Sequence, residues 1–231
     1  MATDVKKDSK ETTGQSSEER VVHSAEQFWN KRGKTIAYIL TGIILVVAGY
    51  FIYLNYFKAP EENKASEALW KAEEYYRTDS FHLALNGDGL NPGFLRVISR
   101  YGGTEAGNLA KFYAGSSYLQ LGDFNNAVKY LKDFSTDEPL VKLQATGLLG
   151  DAYSELGKKE EAVGYYKKAG TMFEEDNMNS PLYLFRGAML YQDMGKNQEA
   201  IELLQAIREK YPQSQQFADA EKYLGKLGVT K

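Results

Sequence analysis

The chain has 231 residues, of which 28 are Lys or Arg and 31 are Asp or Glu, so its formal net charge is −3. Residues 58–231 carry a net charge of −4, so the sequence gives no sign of the basic surface that binds nucleic acid. Cysteine is absent, which excludes thiol nucleophiles, thiolate metal sites and structural disulfides and suits an oxidising compartment.

The first 23 residues are rich in Lys, Glu, Ser and Thr and contain almost no large apolar side chains. Such a segment buries too little apolar surface to fold, so we predict a disordered cytoplasmic tail over residues 1–23. Residues 24–34 are predicted to be an amphipathic juxtamembrane segment. Ser24 and Gln27 fit a capping box that starts a short helix at the membrane surface. A simple extension of the following helix fits the same residues equally well.

Residues 35–58 form the predicted transmembrane helix. Ile36–Phe57 has no charged residue, and as an α-helix this segment spans about 33 Å, close to the roughly 30 Å of a bilayer core. A buried helix of a soluble protein fits poorly, because every face of this helix is apolar. The apolar run is also too long for a cleavable signal peptide. We therefore predict an anchor that contacts membrane lipid through residues 36–57.

Basic residues flank the first end of this helix more closely than the second. Lys31, Arg32 and Lys34 precede it, whereas Lys58 alone follows within five residues. This bias favours a cytoplasmic N-terminus with the rest of the chain outside. Four small residues would lie near one helix face, where a second membrane helix could pack, although scattered small residues are common in single spans: Ala37, Thr41, Ala48 and Gly49.

Residues 59–106 are predicted to form an irregular first helical hairpin. Glu61–Thr78 has a helical spacing of apolar residues, and Pro92 is placed to open a second helix in its first turn. The intervening Asn, Asp and Gly residues resemble a calcium or phosphate loop. They lack the EF-hand glutamate and the Walker lysine, so a turn-rich connection is the better interpretation.

Three later segments share the pattern small-x2-Tyr-x3-Gly-x4-Ala, in copies that lie 35 and then 38 residues apart. The small residue allows a second helix to approach closely, and the glycine closes the first helix in a left-handed turn. Pro139 and Pro212 are expected to stop two of the second helices. The period indicates a solenoid of helical pairs. The copies begin at Gly115, Gly150 and Ala188.

These residues resemble the tetratricopeptide repeat, a helix-turn-helix unit of 34 residues. The resemblance implies an all-α fold, in which a single transmembrane helix precedes an α-solenoid of three repeats over residues 107–214. A large aromatic residue is usual near the start of the first helix of each repeat. Lys111, Thr146 and Leu184 stand there instead. Residues 215–231 have the helical spacing of a C-terminal capping helix.

The sequence offers no catalytic, cofactor or metal site that we can identify. Its two histidines, His23 and His82, have no partner at the spacing of a metal site or a catalytic triad. We therefore predict a protein that binds other proteins and needs no cofactor, rather than an enzyme.

In such solenoids the first helix of each pair lines a concave face, which we predict to be a groove for an extended or helical peptide. Phe112 and Phe185 would be anchors and Met189 an adaptable contact, although these aromatic rings could equally pack between helices. The predicted groove residues are Leu109, Phe112, Ser116, Leu119, Gln144, Asp151, Ser154, Leu182, Phe185, Met189 and Gln192.

The lead-in residues 26–29, the Gly33-Lys34 pair before the span and the degenerate repeats resemble the ancillary SecYEG translocon subunit family of the YfgM type. The resemblance implies a single-pass inner-membrane protein of a Gram-negative cell with periplasmic repeats. Its implied partners are a SecYEG-like channel, periplasmic chaperones or emerging exported chains.

Two other functions remain open from the sequence, an envelope-assembly scaffold that binds a folded partner and a receptor for protein import. A co-chaperone clamp for acidic tails is disfavoured, because Phe112, Gly147 and Phe185 stand where that clamp needs Lys or Asn.

Overall fold

The computed structural model describes residues 17–229, without the side chains of residues 17–20 and 23–25. These residues divide into two compact units at Phe57 and Lys58. The first unit contains helix α1 (Ser17–Tyr53), which a short π-helical segment follows (Leu54–Lys58). Large apolar side chains along α1 are exposed, including Ile44, Leu45 and Val46. This helix is long and apolar enough to cross a membrane.

Helix α1 begins seven residues before Ser24, so it agrees with the second of the two interpretations of this segment, an extension of the apolar helix, and not with a helix start at Ser24. Residues 17–23, which we predicted as part of a disordered tail, are helical, and residues 24–34 extend the apolar helix. The physical reason is that Glu18, Glu19 and Arg20 are good helix formers with no Gly or Pro among them. Residues 1–16 of the predicted tail lie outside the described residues.

The second unit consists of ten helices in the described residues. They are α2 (Ala59–Arg77), α3 (Phe81–Asn86), α4 (Phe94–Tyr101), α5 (Glu105–Gln120), α6 (Phe124–Asp133), α7 (Pro139–Glu155), α8 (Lys159–Met172), α9 (Asn179–Asp193), α10 (Asn197–Lys210) and α11 (Phe217–Lys226). The hairpins α5–α6, α7–α8 and α9–α10 coincide with the three predicted repeats. The all-helical fold with tetratricopeptide-like hairpins is therefore confirmed.

Helices α2 to α4 form the irregular element before the first repeat and pack against α5. Phe94 is fully buried between the rings of Tyr76 and Tyr113, with centroids 6.3 and 5.4 Å away. The carboxylate of Glu62 accepts hydrogen bonds from the backbone N–H groups of Glu105 and Ala106 at 2.9 and 2.8 Å. A glutamate of α2 thus caps the N-terminus of α5.

Hydrogen bonds to the Asp88 carboxylate hold the loop before α4 in place. Asp88 accepts hydrogen bonds from the backbone N–H of Asn91 at 2.6 Å and from the Tyr75 hydroxyl at 2.7 Å. These bonds hold the pKa of the Asp88 carboxyl well below its ordinary value. Pro92 lies just outside α4 rather than in its first turn, because Gly93 occupies the N-cap position.

The repeated glycines occupy the turns between paired helices with left-handed backbone angles. Gly122, Gly157 and Gly195 have φ values of 78°, 71° and 73°. At the repeated small positions, a Cβ on Gly115 would lie 2.6 Å from Leu131, and one on Gly150 would lie 2.5 Å from Tyr166. The first two hairpins therefore close only because Gly115 and Gly150 carry no side chain.

One of the two prolines has a different role from the one we predicted. Helix α6 already ends at Asp133, and Pro139 is the first residue of α7. A helix tolerates proline there, because its first N–H groups have no partner within the helix. Pro212 follows the end of α10 at Lys210 by two residues, in agreement with its predicted role as a stop.

Replacing Gly157 with valine will lower the free energy of unfolding by about 1–3 kcal/mol, because a β-branched residue resists a φ of 71°. A Cβ at this exposed position meets no atom within 4 Å, so the loss is purely conformational. Urea unfolding of the full chain in detergent, followed by circular dichroism, measures it. Gly157→Asn is the matched control and should cost less, since asparagine tolerates this conformation better. An equal loss in both variants would contradict the conformational explanation.

Helix α11 covers the end of the last repeat. Ala220 and Leu224 are buried against a cluster that includes Leu204, Ile207 and Tyr211. Without α11 these side chains would face water, which is why a stack of helical pairs needs a terminal helix.

Candidate functional site: a polar cavity on the first helices of the repeats

The first helices of the three repeats are α5, α7 and α9, and α7 contacts both of the others. A cavity of about 500 Å³ opens among α5, α7, α8 and α9. Three of the predicted groove residues, Leu119, Asp151 and Ser154, line this cavity together with Tyr166 and Arg186. The structure therefore brings together predicted residues from two neighbouring repeats.

Asp151 is the centre of the cavity's polar network. Its carboxylate accepts a hydrogen bond from the Tyr166 hydroxyl at 2.8 Å and pairs with the guanidinium of Arg186. Arg186 also lies over the ring of Tyr183, with its guanidinium carbon 5.5 Å from the centroid. The charge of Asp151 is therefore satisfied within the protein, which makes it a structural link between α7, α8 and α9 rather than a free acceptor for a ligand.

Tyr183 of α9 packs on α7 at Gly147 and occupies space that would otherwise belong to the predicted groove. A Cβ on Gly147 would lie only 1.9 Å from Cζ of Tyr183, so the ring rests directly on the backbone of α7. The ring also stacks on Tyr166, with the centroids 6.2 Å apart. Tyr183 is buried, so a ring from the next repeat occupies the space that a side chain at position 147 would need.

Burial, and then the charge of Asp151, raises the pKa of Tyr183 from about 10 to about 12. Burial also raises the pKa of Tyr166. The folded state favours the neutral phenols, so their contribution to stability is complete below pH 10 and is lost as the pH rises through the folded-state pKa.

The free energy of unfolding is therefore expected to fall between about pH 10 and 12, with about 2–3 kcal/mol of that fall coming from Tyr183. Tyr183→Phe removes the titrating hydroxyl but keeps the ring. Urea unfolding between about pH 10 and 12 should therefore show a decrease in the free energy of unfolding that is about 2–3 kcal/mol smaller than in the unmodified chain. Tyr38→Phe, in the exposed apolar part of α1, is the control and should follow the unmodified chain. Equal slopes for Tyr183→Phe and the unmodified chain would contradict the assignment.

Other predicted groove residues contact helices of the protein. Ser116 is buried, and its hydroxyl lies 2.8 Å from that of Tyr76 on α2. Phe112 packs against Tyr113 and Phe134, each with centroids 5.5 Å away. The sequence left open whether Phe112 and Phe185 bind a partner or pack between helices. For Phe112 the contacts agree with packing between helices.

The C-terminal part of the predicted groove adjoins α11. Phe185 packs edge-on against Tyr223 with centroids 5.7 Å apart, and Met189 contacts the same cluster. Leu109, Leu182 and Gln192 are half-buried, whereas Gln144 on α7 is exposed. Gln144 and the cavity around Leu119 thus remain the most accessible parts of the predicted surface.

Four ion pairs join the second repeat to the third. They link residues that are 34 to 36 positions apart, close to one repeat length. This spacing places Asp151 and Arg186 on the first helices of successive repeats, α7 and α9, whereas Lys159 begins α8 and Asp193 ends α9. The pairs are Asp151–Arg186, Lys159–Asp193, Glu160–Lys196 and Glu174–Lys210.

Arg186, Tyr166 and Tyr183 were not among the predicted site residues. Arg186 lies 35 residues after Asp151, so comparing opposite charges at the repeat spacing would have found this pair. Nothing in the sequence indicates that Tyr183 rests on Gly147, because that contact depends on how two repeats stack.

The small residues predicted as a membrane packing face are exposed on α1. Ala37, Thr41, Ala48 and Gly49 have no contact that buries them, and the Thr41 hydroxyl donates to the backbone carbonyl of Ala37 at 2.9 Å. Across residues 17–229, no group of three or more metal-ligating side chains comes together.

Two family models match this chain, both described as Tetratricopeptide repeat. One matches residues 113–174 and the other matches residues 183–214. Together they include part or all of each of the helices α5 to α10. No curated protein sequence matches the chain.

Proposed function

Because this chain contains tetratricopeptide repeats and one helix that is long and apolar enough to cross a membrane, we propose that it is a membrane-anchored adaptor for other proteins. Tetratricopeptide repeats suggest protein–protein interaction, and nothing in the chain points to catalysis. The more specific proposal is an accessory subunit of the Sec protein-export translocon, with chaperone-like binding of partners or emerging clients.

The observation that carries the proposal is the exposed apolar surface of α1 in the same chain as the repeats. None of its most apolar stretch is buried. Exposed apolar surface of this extent is covered by lipid or by another protein, so the repeats would be held at a membrane.

Lys31, Arg32 and Lys34, just before the apolar part of α1, support a cytoplasmic N-terminus and repeats in the periplasm of an inner membrane. This location agrees with the resemblance to the ancillary translocon subunit family. The accessible part of the first-helix surface, around Leu119 and Gln144, is the proposed contact for clients. Leu119 is half-buried and Gln144 is exposed, so both an apolar and a polar side chain are accessible to an extended chain.

Photocrosslinking in native membranes tests this proposal. Photoreactive residues are placed one at a time on α1, on the first-helix surface and, as the control, on α8. The positions are Ile44, Leu119, Gln144 and Gly164. Mass spectrometry then identifies the captured proteins. We expect capture of channel subunits from Ile44 and of nascent exported chains from Leu119 or Gln144, with neither from Gly164. Exposed Gly164 has no atom within 4 Å of its Cβ position, so the probe should not disturb the fold.

Capture of nascent chains equally from Gly164 would show nonspecific collision. Capture of folded envelope-assembly proteins alone would refute the translocon assignment and favour a scaffold. The contacts of Phe185 with Tyr223 favour this second function over a receptor with a long aromatic groove, because they use one predicted anchor inside the protein. Labelling of residues near both ends of α1 with a membrane-impermeant reagent tests the orientation separately.

A further inference from the structure

A second cavity, of about 480 Å³, lies among α6, α7 and α8. Its lining includes Thr146 on α7, which stands where tetratricopeptide repeats usually carry a large aromatic residue. The Thr146 hydroxyl donates to the carbonyl of Lys142 in its own helix at 2.7 Å, so it does not serve the cavity. A small side chain at this position leaves open the space that an aromatic ring would fill.

The floor of this cavity is apolar and its rim is basic. Leu131, Leu149 and Tyr165 contribute to the floor. Lys132, Lys142 and Lys168 stand on the rim and are exposed. We call the site the lysine-rimmed pocket.

The rim lysines differ from many other lysines of the repeats. Lys111, Lys159, Lys196 and Lys210 each form an ion pair. In the described part of the chain, Lys132, Lys142 and Lys168 form no ion pair with a carboxylate. Lys132 lies instead over the ring of Tyr153, 5.3 Å from its centroid. Asp137 is the one acidic residue in the lining, so the rim has a net positive charge within a unit of net charge −4.

We propose that the lysine-rimmed pocket binds an acidic peptide segment of a partner protein, in which one large apolar side chain is flanked by Asp or Glu. The apolar side chain occupies the space that the missing aromatic residue leaves. The flanking carboxylates pair with the three rim ammonium groups, which form no ion pair inside the protein.

Two features select this occupant. A pocket of this volume accepts one aromatic side chain together with the adjacent backbone. The basic rim attracts carboxylates, while the acidic surface of the surrounding unit repels the same peptide elsewhere and so confines it to this place. A small inorganic anion would use only the rim and leave the apolar floor exposed to water.

The test uses the full chain in detergent micelles and a fluorescein-labelled peptide with three glutamates on each side of one phenylalanine. Fluorescence anisotropy measures its affinity at low and high salt. We expect salt-sensitive binding, because exposed charge pairs are screened by ions. Two further peptides are compared, one with alanine in place of the phenylalanine and one with glutamines in place of the glutamates. Both should bind about tenfold more weakly.

Two variants of the chain complete the test. Replacing Lys132, Lys142 and Lys168 together with glutamine should lower the affinity about tenfold, since three exposed pairs are lost. The matched control is glutamine at three exposed lysines outside the pocket, Lys167, Lys222 and Lys226, which should leave the affinity within about twofold. Thr146→Trp should also abolish binding by filling the space, with circular dichroism as a check of folding.

Each result decides the proposal. Equal affinity in the rim variant and the control variant would overturn it, as would unchanged binding by a folded Thr146→Trp variant. Equal affinity for the phenylalanine and alanine peptides would show diffuse ionic attraction and would also refute the site. If Thr146→Trp does not fold, the surface lysine variants decide alone. Because this site is separate from Leu119 and Gln144, its failure leaves the adaptor proposal untouched.

Discussion

Replacing Phe94 with alanine will lower the free energy of unfolding of the repeat unit by about 3–5 kcal/mol, the usual cost of deleting a buried phenylalanine ring. Phe94 is fully buried at the start of α4, where it packs on Tyr76 of α2 and Tyr113 of α5. The two rings come from different helices, α2 and α5, so they cannot collapse into the space without moving the helices. Urea unfolding of the full chain in detergent, followed by circular dichroism, measures the loss.

The control for this prediction lies four residues earlier in the same region. Leu90 is 93% exposed in the loop before α4, so Leu90→Ala should change the free energy of unfolding by less than about 0.5 kcal/mol. The Phe94→Ala variant should still unfold in one transition, because Phe94 contacts α5 of the first repeat directly. Two separate transitions would mean that α2 to α4 are an independent appendage, and a loss below that of Leu90→Ala would contradict the packing described above.

Replacing Gly147 with alanine has the second largest expected effect, a loss of about 3 kcal/mol, at the upper end of the usual cost of overpacking. The added Cβ would lie 1.9, 2.2 and 2.4 Å from three ring atoms of Tyr183. The ring cannot rotate out of the way, because it stacks on Tyr166 and lies beneath the guanidinium of Arg186. The third repeat must therefore shift relative to α7, and the same urea unfolding measurement detects the loss.

Gly164→Ala is the matched control, because Gly164 is also inside a helix but is exposed with no atom near its Cβ position. Alanine there should stabilise the protein by about 0.5–1 kcal/mol through its better helix propensity. A second substitution, Tyr183→Leu, should relieve much of the cost of Gly147→Ala, so the double variant should be more stable than the sum of the single effects predicts. Strict additivity would show that Gly147 and Tyr183 do not meet.

The local features of the repeats could be predicted from the sequence, because each depends on the conformation of one or a few neighbouring residues. Gly122, Gly157 and Gly195 have the left-handed turns that their spacing indicated. Gly115 and Gly150 lie where helices touch so closely that a Cβ would clash. The terminal helix α11 follows from the helical spacing of Ala220 and Leu224, both of which are buried.

The candidate site was less accessible to prediction, because its contacts join residues far apart in the chain. The sequence shows which residues face the first-helix surface but not which of them are covered by a neighbour. Ser116 meets Tyr76 from 40 residues away, and Asp151 meets Arg186 from 35 residues away. These pairings depend on the angle between successive hairpins, which no local pattern encodes.

The start of α1 was mispredicted for a different reason. A charged segment with few apolar residues can be helical when its residues have high helix propensity and a stable apolar helix follows it. Composition alone does not separate that case from an unstructured tail. The capping-box pattern at Ser24 was therefore a local coincidence within a longer helix.

The four ion pairs between the second and third repeats also determine the order of the modules. Thirty-five positions before Asp151, Lys159 and Glu160, the first repeat has Ser116, Phe124 and Asn125, none of which carries a charge. These three ion pairs would therefore be lost if the third repeat were stacked directly on the first. Exposed ion pairs contribute little to stability, so their main effect here is selectivity between neighbours. Transposing or duplicating repeats would break this complementarity, so the chain specifies the succession of its modules as well as the shape of each one.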